Sequence, residues 1–119
     1  KLINHFKNRT TSLVPVKWPN LKPTSDVSMV INTTSFGMKK GEFLEINLDS
    51  LQSSTVFADI IYKPKETEML KKVKNKGFKT INGLDMLIYQ AAISFNLWFK
   101  ISLTRRDIKD AKEICERSY

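Results

Sequence analysis

The sequence has little of several residue types, and each shortage excludes a class of protein. It holds one cysteine, Cys115, which excludes an intramolecular disulfide framework and a cysteine zinc site and fits a reducing, cytoplasmic compartment. Its four glycines and four prolines are too few for a low-complexity or collagen-like chain. No apolar run reaches the roughly 18 residues of a transmembrane helix. The single histidine, His5, has no second His or Cys nearby, so we expect no metal site.

What remains is ordinary globular composition. The chain has 119 residues, of which 41% are hydrophobic and 27% charged, so it is long enough for one domain with a real core. Its first residue is Lys1, and the apolar residues that follow it have helical spacing with no N-capping residue in front. We therefore expect the chain to be cut from something longer.

Positive charge dominates, with 20 Lys and Arg against 12 Asp and Glu. Sixteen of the 20 are lysines, whereas specific readers of bases favour the bidentate arginine fork. Residues 63–79 contain seven lysines and two glutamates. We interpret this segment as a solvated helix face, and the alternative interpretation is that it attracts anions weakly. A small basic nucleic-acid-binding module is the alternative for the whole chain, but aromatics interleaved with arginines, which would favour it, are not found.

Hydrophobic periodicity predicts strands that alternate with helices. Short apolar runs predict strands over residues 13–18, 27–32, 56–62 and 78–81, the first at a sheet edge because Pro15 lacks an N–H donor. A 3.6-residue spacing predicts helices over residues 1–7, 68–76, 84–99 and from 105 onward. Thr67 and Thr104 are the expected N-caps, Asp107 follows Thr104 by three residues, and Gly77 is the expected C-terminal cap. The alternation favours a parallel sheet with right-handed crossovers.

Candidate ligand contacts lie in the loops that follow these strands, at residues 18–20, 32–37, 62–66 and 82–86. In a parallel sheet such loops share one edge, where ligands bind in a crevice. Three of the four loops carry small or hydroxyl residues followed by glycine or proline, which lets the backbone approach a flat ligand. Turns of this kind also follow strands that bind nothing, so spacing alone leaves both interpretations open.

Three segments at these loops resemble the motifs of shikimate dehydrogenases. Residues 31–38, INTTSFGM, are similar to the family's I-N-[AT]-T-S-x-G-[ML]. Residues 59–70, DIIYKPKETEML, resemble its D-x-x-Y-x-P-x-x-T-x-L-L. Residues 83–98, GLDMLIYQAAISFNLW, resemble its G-L-x-M-L-x-x-Q-A-x-x-x-F-x-x-W. The three motifs occur in the family's order and spacing, and the resemblance covers the chain from about Leu2 to its end.

The resemblance implies an α/β fold: part of a Rossmann-like parallel sheet of about four strands, with flanking helices and two C-terminal helices. It implies that residues 1–83 are the C-terminal portion of a dinucleotide-binding domain, and that residues 84–119 are helices packing back toward a substrate domain. In the strand order 3-2-1-4-5-6, two further strands would lie between residues 13–18 and 27–32. Two sheet edges of this chain are therefore expected to be unpaired.

One match is refused as a coincidence. Asn8-Arg9-Thr10 has the letters of the family's N-R-T motif, which reads the 2′-phosphate of NADP. In the family a helix follows that motif before the next strand, whereas here two residues separate Thr10 from the predicted strand at Leu13.

The activity implied is hydride transfer between NADPH and 3-dehydroshikimate to give shikimate, in aromatic amino acid biosynthesis. Tyr62 would bind the substrate near its carboxylate, and Gln90 would hydrogen-bond a substrate hydroxyl. Gln90 also has independent support, because its side chain leans toward the helix N-terminus, where the crevice lies, and an amide both donates and accepts. The residues implied in binding the cofactor NADP are Thr33, Thr34, Ser35, Ile60, Gly83 and Met86. Asp85 stands where the family prefers a small residue.

Other parts of the family pattern have no counterpart in the sequence. The four glycines occur singly, so there is no Gly-rich phosphate loop, and the family's catalytic Lys and Asp pair belongs to the substrate domain. We therefore expect no catalytic residue in this chain, no activity of the chain alone, and a partner in the missing N-terminal part of the same enzyme. A quinate or other shikimate-type dehydrogenase shares these motifs and is the alternative within the enzyme class.

Overall fold

The structure, a computed structural model, describes residues 13–16, 25–42 and 44–118. Within these ranges it has three strands, β1 (Met29–Asn32), β2 (Val56–Asp59) and β3 (Lys79–Ile81). It also has three helices, α1 (Glu68–Asn75), α2 (Leu84–Phe99) and α3 (Arg105–Arg117). The predicted α/β class is confirmed.

The three strands form one parallel sheet in the order β1-β2-β3. In its register Ile31, Ala58 and Ile81 lie side by side, so the carboxyl ends of the strands reach the same edge. β2, α1 and β3 make a βαβ unit, whereas the described residues between β1 and β2, 33–42 and 44–55, contain no helix. The sheet thus brings the loops after β1, β2 and β3 together, as the alternation of elements predicts.

The expectation of about four strands is corrected to three. Residues 13–16 are described and form no strand, while residues 17 and 18 lie outside the described ranges. Leu13, Val14 and Val16 are exposed, and Pro15 has no N–H to give to a neighbour. An apolar run becomes a strand only when another strand pairs with it, and the described sheet offers this one no partner. The predicted helix over residues 1–7 and the Asn8-Arg9-Thr10 match also lie outside the described residues.

The core lies on one face of the sheet. Phe57 is fully buried at the centre of β2 and makes an edge-on ring contact with Phe78, with the ring centroids 5.2 Å apart. The buried side chains around it come from α1 and from the long β1–β2 connection: Leu48, Met69, Leu70 and Val73. α1 therefore covers the sheet with the apolar stripe that its sequence spacing predicts.

The helix boundaries follow the predicted caps. Thr67 Oγ1 accepts from the backbone N–H of Leu70, and Gly77 follows the end of α1 with φ +90°. Thr104 and Asp107 form a reciprocal capping box at the start of α3. α2 begins after Gly83 without a side-chain cap and runs over the predicted residues 84–99.

None of the helices in the described ranges is long and apolar enough to cross a membrane.

Candidate functional site

A buried carboxylate organises the strand ends. Asp59, the last residue of β2, is 2% exposed and accepts three hydrogen bonds. The donors are Asn32 Nδ2 at 3.2 Å, the backbone N–H of Ile61 at 3.0 Å and Thr67 Oγ1 at 2.8 Å. One side chain therefore joins the end of β1, the loop after β2 and the start of α1.

The same network explains where β2 ends. The sequence predicts a strand through residue 62, but the backbone N–H of Ile61 donates to the Asp59 carboxylate at 3.0 Å. That bond curls the chain back on itself after Asp59. Ile60 and Tyr62 consequently belong to the loop at the edge of the sheet, which is the position from which a ligand can be contacted.

The loop after β1 is held from within. Asn32 Oδ1 accepts from the backbone N–H of Thr34 at 3.0 Å and from its hydroxyl at 2.7 Å. The Thr34 hydroxyl in turn accepts from the backbone N–H of Phe36 at 3.1 Å. Thr34 therefore shapes the loop with its side chain, while Thr33 and Ser35 stand on either side of it with exposed side chains.

Gly83 joins the third loop to the second at backbone contact. Its N–H donates to the carbonyl of Ile61 at 3.0 Å, and a Cβ at this position would lie 1.9 Å from the carbonyl oxygen of Ile60. The φ of Gly83 is −76°, so it is the close approach, and not an unusual backbone conformation, that requires glycine. The loops after β2 and β3 are fixed to each other here.

A cleft of about 380 Å³ opens at this edge, and we call it the strand-end cleft. Five of the eight predicted site residues line it: Thr33, Thr34, Ser35, Ile60 and Tyr62. Met38, Ile61 and Lys63 complete the lining. Thr33, Thr34 and Ser35 also line a second, larger depression of about 750 Å³, together with Leu44, Ile46 and Met69. The structure thus brings the first two sequence motifs together around one cavity.

The other predicted residues lie on or just before α2. Met86 and Gln90 have exposed side chains, and Gly83 is buried against the Ile60 backbone. None of these three is among the residues that line the strand-end cleft. The third motif is joined to the cleft through Gly83, at the start of the helix that carries Met86 and Gln90.

The negative charge of Asp85 is paired with a lysine of α3. Its carboxylate lies 2.6 Å from Lys112 Nζ, and this hydrogen bond raises the pKa of Lys112 above its ordinary value. The side chain that departs from the family's small residue is therefore engaged by the C-terminal helix, and its negative charge is paired at the surface.

Sequence reasoning did not assign a role to the residues that build this edge, namely Asn32, Asp59 and Thr67. All three stand inside the motifs, and Thr67 was identified only as a cap. The signal that could have found them is a polar residue at the final position of an otherwise apolar strand, because such a side chain is buried and must find partners there. Asn32 and Asp59 both stand at such a position.

Comparison with protein families matches the third motif. The model of the shikimate 5'-dehydrogenase C-terminal domain fits residues 83–103. A shikimate dehydrogenase (NADP(+)) from Azorhizobium caulinodans is 38% identical over 102 residues, which cover 85% of this chain and 35% of that protein. The chain thus spans about a third of the length of this relative.

Solved structures give the same fold. The chorismate mutase/shikimate 5-dehydrogenase fusion protein from Clostridium acetobutylicum is 34% identical, with a TM-score of 0.66 over 83% of this chain and 35% of its own. Ligand-free 5-ketofructose reductase from a Gluconobacter species is 28% identical, with a TM-score of 0.70 over 83% of this chain and 35% of its own. The predicted partial Rossmann-like sheet is confirmed by these superpositions.

Proposed function

We propose that this chain, which is related to the C-terminal third of shikimate dehydrogenases, forms the nicotinamide side of an NADP-dependent active site. The reaction proposed is reversible hydride transfer between NADPH and 3-dehydroshikimate. One observation carries the proposal: the first two motifs, 27 residues apart from Asn32 to Asp59, line one cleft at the carboxyl ends of two parallel strands. That edge is where sheets of this kind bind dinucleotides.

The residues around the cleft suit a flat, weakly polar ring. Ile60 and Ile61 offer apolar surface, and the loop at residues 33–35 offers hydroxyl groups. The backbone contact at Gly83 keeps side chains out of the space between the second and third loops. The bound nicotinamide would supply the hydride, and the chain's part would be to hold and orient the ring.

Substrate contacts are proposed for Tyr62 and Gln90. The Tyr62 side chain is 43% exposed and lines the cleft, and its hydroxyl has no hydrogen-bond partner among the described residues. The Gln90 side chain is exposed on α2, also without a described partner. A phenol and an amide suit a cyclic polyol that carries a carboxylate, since together they donate and accept.

The division of the chain is part of the same proposal. Residues 1–83 would belong to the dinucleotide-binding domain, and residues 84–119 would pack toward a substrate domain that supplies the catalytic Lys and Asp. We accordingly expect the chain alone to be inactive and the assembled enzyme, expected in the cytoplasm, to be active.

A chimaera tests the function. Residues 25–118 would replace the matching segment of the Azorhizobium relative, and reduction of 3-dehydroshikimate would be followed through the absorbance of NADPH. We expect the chimaera to turn over and the 119-residue chain alone not to. Gln90→Ala is expected to raise KM about three- to tenfold, the worth of one hydrogen bond to a neutral hydroxyl. Gln52→Ala, an exposed glutamine away from the cleft, is the matched control.

Another substrate of the same type is the second candidate, because the superposition with the ketofructose reductase has a TM-score of 0.70. The same chimaera would be offered quinate with NAD or NADP, and 5-ketofructose with NADH or NADPH. Turnover of either in preference to shikimate would reject the proposed substrate while keeping the cofactor side. A folded chimaera that turns over none of these substrates would overturn the proposal as a whole.

A further inference from the structure

We propose that a second cleft, lined by five lysines, binds a small anion with several negative charges. This lysine cleft has a volume of about 630 Å³ and lies between residues 37–40, the start of α1 and the end of α3. Its lysines are Lys39, Lys40, Lys63, Lys65 and Lys71. It shares Met38 and Lys63 with the strand-end cleft and is otherwise separate from it. The site goes beyond the proposed dehydrogenase function and does not depend on it.

The two carboxylates on the lining are already neutralised. Glu68 lies 2.8 Å from Lys71 Nζ. Glu66 bonds to Lys74, a lysine outside the lining, and this bond holds the pKa of Glu66 below its ordinary value. Both glutamates of the lining are therefore paired with a lysine.

Three lysines keep their charge uncompensated. Lys65 pairs with Glu116 of α3 at 3.1 Å. Lys39, Lys40 and Lys63 form no ion pair with any other residue in the described ranges. The Glu42 carboxylate also lies at the cleft, where it accepts from the backbone N–H groups of Gly37 and Lys39 at 3.3 Å. With Glu42 and the ion-pair partners Lys74 and Glu116 counted, six lysines stand against four glutamates, an excess of two positive charges. Charges of one sign that surround a concave space concentrate counter-ions there, more than the same lysines spread over a convex face would.

The chemistry of the lining defines the ligand class. An ammonium group acts as a point charge and does not impose the planar geometry that arginine imposes, so total charge decides what binds. The volume is that of a small-molecule pocket. No aromatic side chain lines the cleft, so it lacks the stacking platform of single-stranded nucleic-acid sites. The ligand expected is a small polyanion such as a pyrophosphate or a tricarboxylate.

Inorganic pyrophosphate is the probe. Its binding to the 119-residue chain would be measured by calorimetry at low and at moderate ionic strength, with K39Q/K40Q/K63Q as the test variant. The control is K76Q/K79Q/K100Q, which removes the same charge from three exposed lysines that do not line the cleft and form no described ion pair. We expect one saturable site, weakened at least tenfold in the test variant and by less than twofold in the control, and weakened by added salt.

A second measurement does not depend on variants. On addition of pyrophosphate to the ¹⁵N-labelled chain, the largest amide shifts are expected at residues 37–40 and 63–66. Equal weakening in both triple variants would mean a general field effect and would overturn the proposal. So would the absence of saturation, shifts spread over all lysines, or a single-stranded oligonucleotide that binds the cleft more tightly than pyrophosphate.

Discussion

At the scale of single residues, Asp59 has the most consequences. It is a buried carboxylate whose partners are all neutral donors: an amide, a backbone N–H and a hydroxyl. A carboxyl group offers these donors two acceptor oxygens, whereas an amide offers one, so an aspartate suits this position better than an asparagine. Because the three donors come from three segments, the loops that line the strand-end cleft owe their relative placement to this one side chain.

Asp59→Asn tests this role with almost no change of volume. An amide NH₂ would face at least one of the three donors, so a buried donor would lose its acceptor, at a cost of about 1–3 kcal/mol. We expect the midpoint of urea unfolding to fall accordingly and the slope to stay the same. Asp49→Asn, at an exposed position, is the control and is expected to change the midpoint little. An unchanged midpoint for Asp59→Asn would show that the network does not support the fold.

The residue scale also shows where sequence reasoning stops. The motifs were sufficient to bring Thr33, Ser35 and Tyr62 to one cleft, because each follows a strand of the same parallel sheet. They did not reveal that the Thr34 hydroxyl donates a hydrogen bond within its own loop, to Asn32. Nor did they reveal that the side chains of Asn32 and Asp59 are hydrogen-bonded to each other. The Asn32–Asp59 bond joins residues 27 positions apart, and such a partner depends on the strand register.

At the scale of elements, local signals were reliable wherever the cause is local. Thr104 and Asp107 are three residues apart, and both halves of their capping box form. α2 keeps its predicted bounds. The run at residues 13–16, in contrast, has strand composition but forms no strand. A strand depends on hydrogen bonds to another segment, so composition alone does not determine it, whereas a helix bonds within itself.

The capping box predicts a pH dependence of α3. Hydrogen bonds from Thr104 hold the pKa of Asp107 below its ordinary value. A carboxylate with a lowered folded-state pKa stabilises the fold above its unfolded pKa, near 3.9, and loses that contribution as pH falls through the lowered value. Wild type should therefore be more stable than Asp107→Asn at neutral pH, with a gap that closes only below about pH 4.

Urea midpoints from pH 7 to pH 2 would follow that gap. Asp110→Asn, on an exposed face of the same helix and 3.9 Å from Arg106, is the comparison variant. A direct check is the NMR titration of the Asp107 carboxyl carbon. A measured pKa at or above 3.9 would contradict the assignment.

At the scale of the whole molecule, one sheet face is covered and the other is open. Phe57 and its neighbours pack under α1, while Met29, Ile31 and Ile81 on the opposite face stay exposed. α2 adds several large apolar side chains to the surface, and the three most exposed are Ile93 at 64%, Leu97 at 62% and Trp98 at 76%. Parallel sheets are normally covered on both faces, so this surface is of the kind that other protein covers.

We therefore expect the isolated chain to self-associate. Sedimentation velocity over a range of concentrations would measure it. The triple variant I93Q/L97Q/W98Q is expected to raise the monomer fraction without lowering the unfolding midpoint, because none of the three side chains is buried. Ile88→Gln, at a buried position of the same helix, is the contrasting variant. It should lower the free energy of unfolding by about 2–4 kcal/mol, and the unfolding midpoint with it. A wild-type chain that stays monomeric at all concentrations would contradict the prediction.

At the scale of the whole molecule, the sequence predicts the fold better than it predicts which surfaces are covered. Its motifs predict the topology of the sheet and the cleft at its edge. They do not predict whether other protein covers the open face of the sheet, the strand edges or α2, because such contacts involve residues outside 13–118. The lysines of residues 63–79 were interpreted as a solvated helix face, and only the fold shows that three of them, Lys63, Lys65 and Lys71, line one cleft together with Lys39 and Lys40.

The backbone contact at Gly83 makes a pivot. α2 starts where a glycine lies against the Ile60 carbonyl with no side chain between them, so the first turn of the helix and the loop after β2 are in direct backbone contact. α2 extends 16 residues from that point, and a small tilt at the pivot becomes a large displacement at Trp98. A contact that tilted the far end of α2 would therefore also displace the loop after β2, which lines the strand-end cleft.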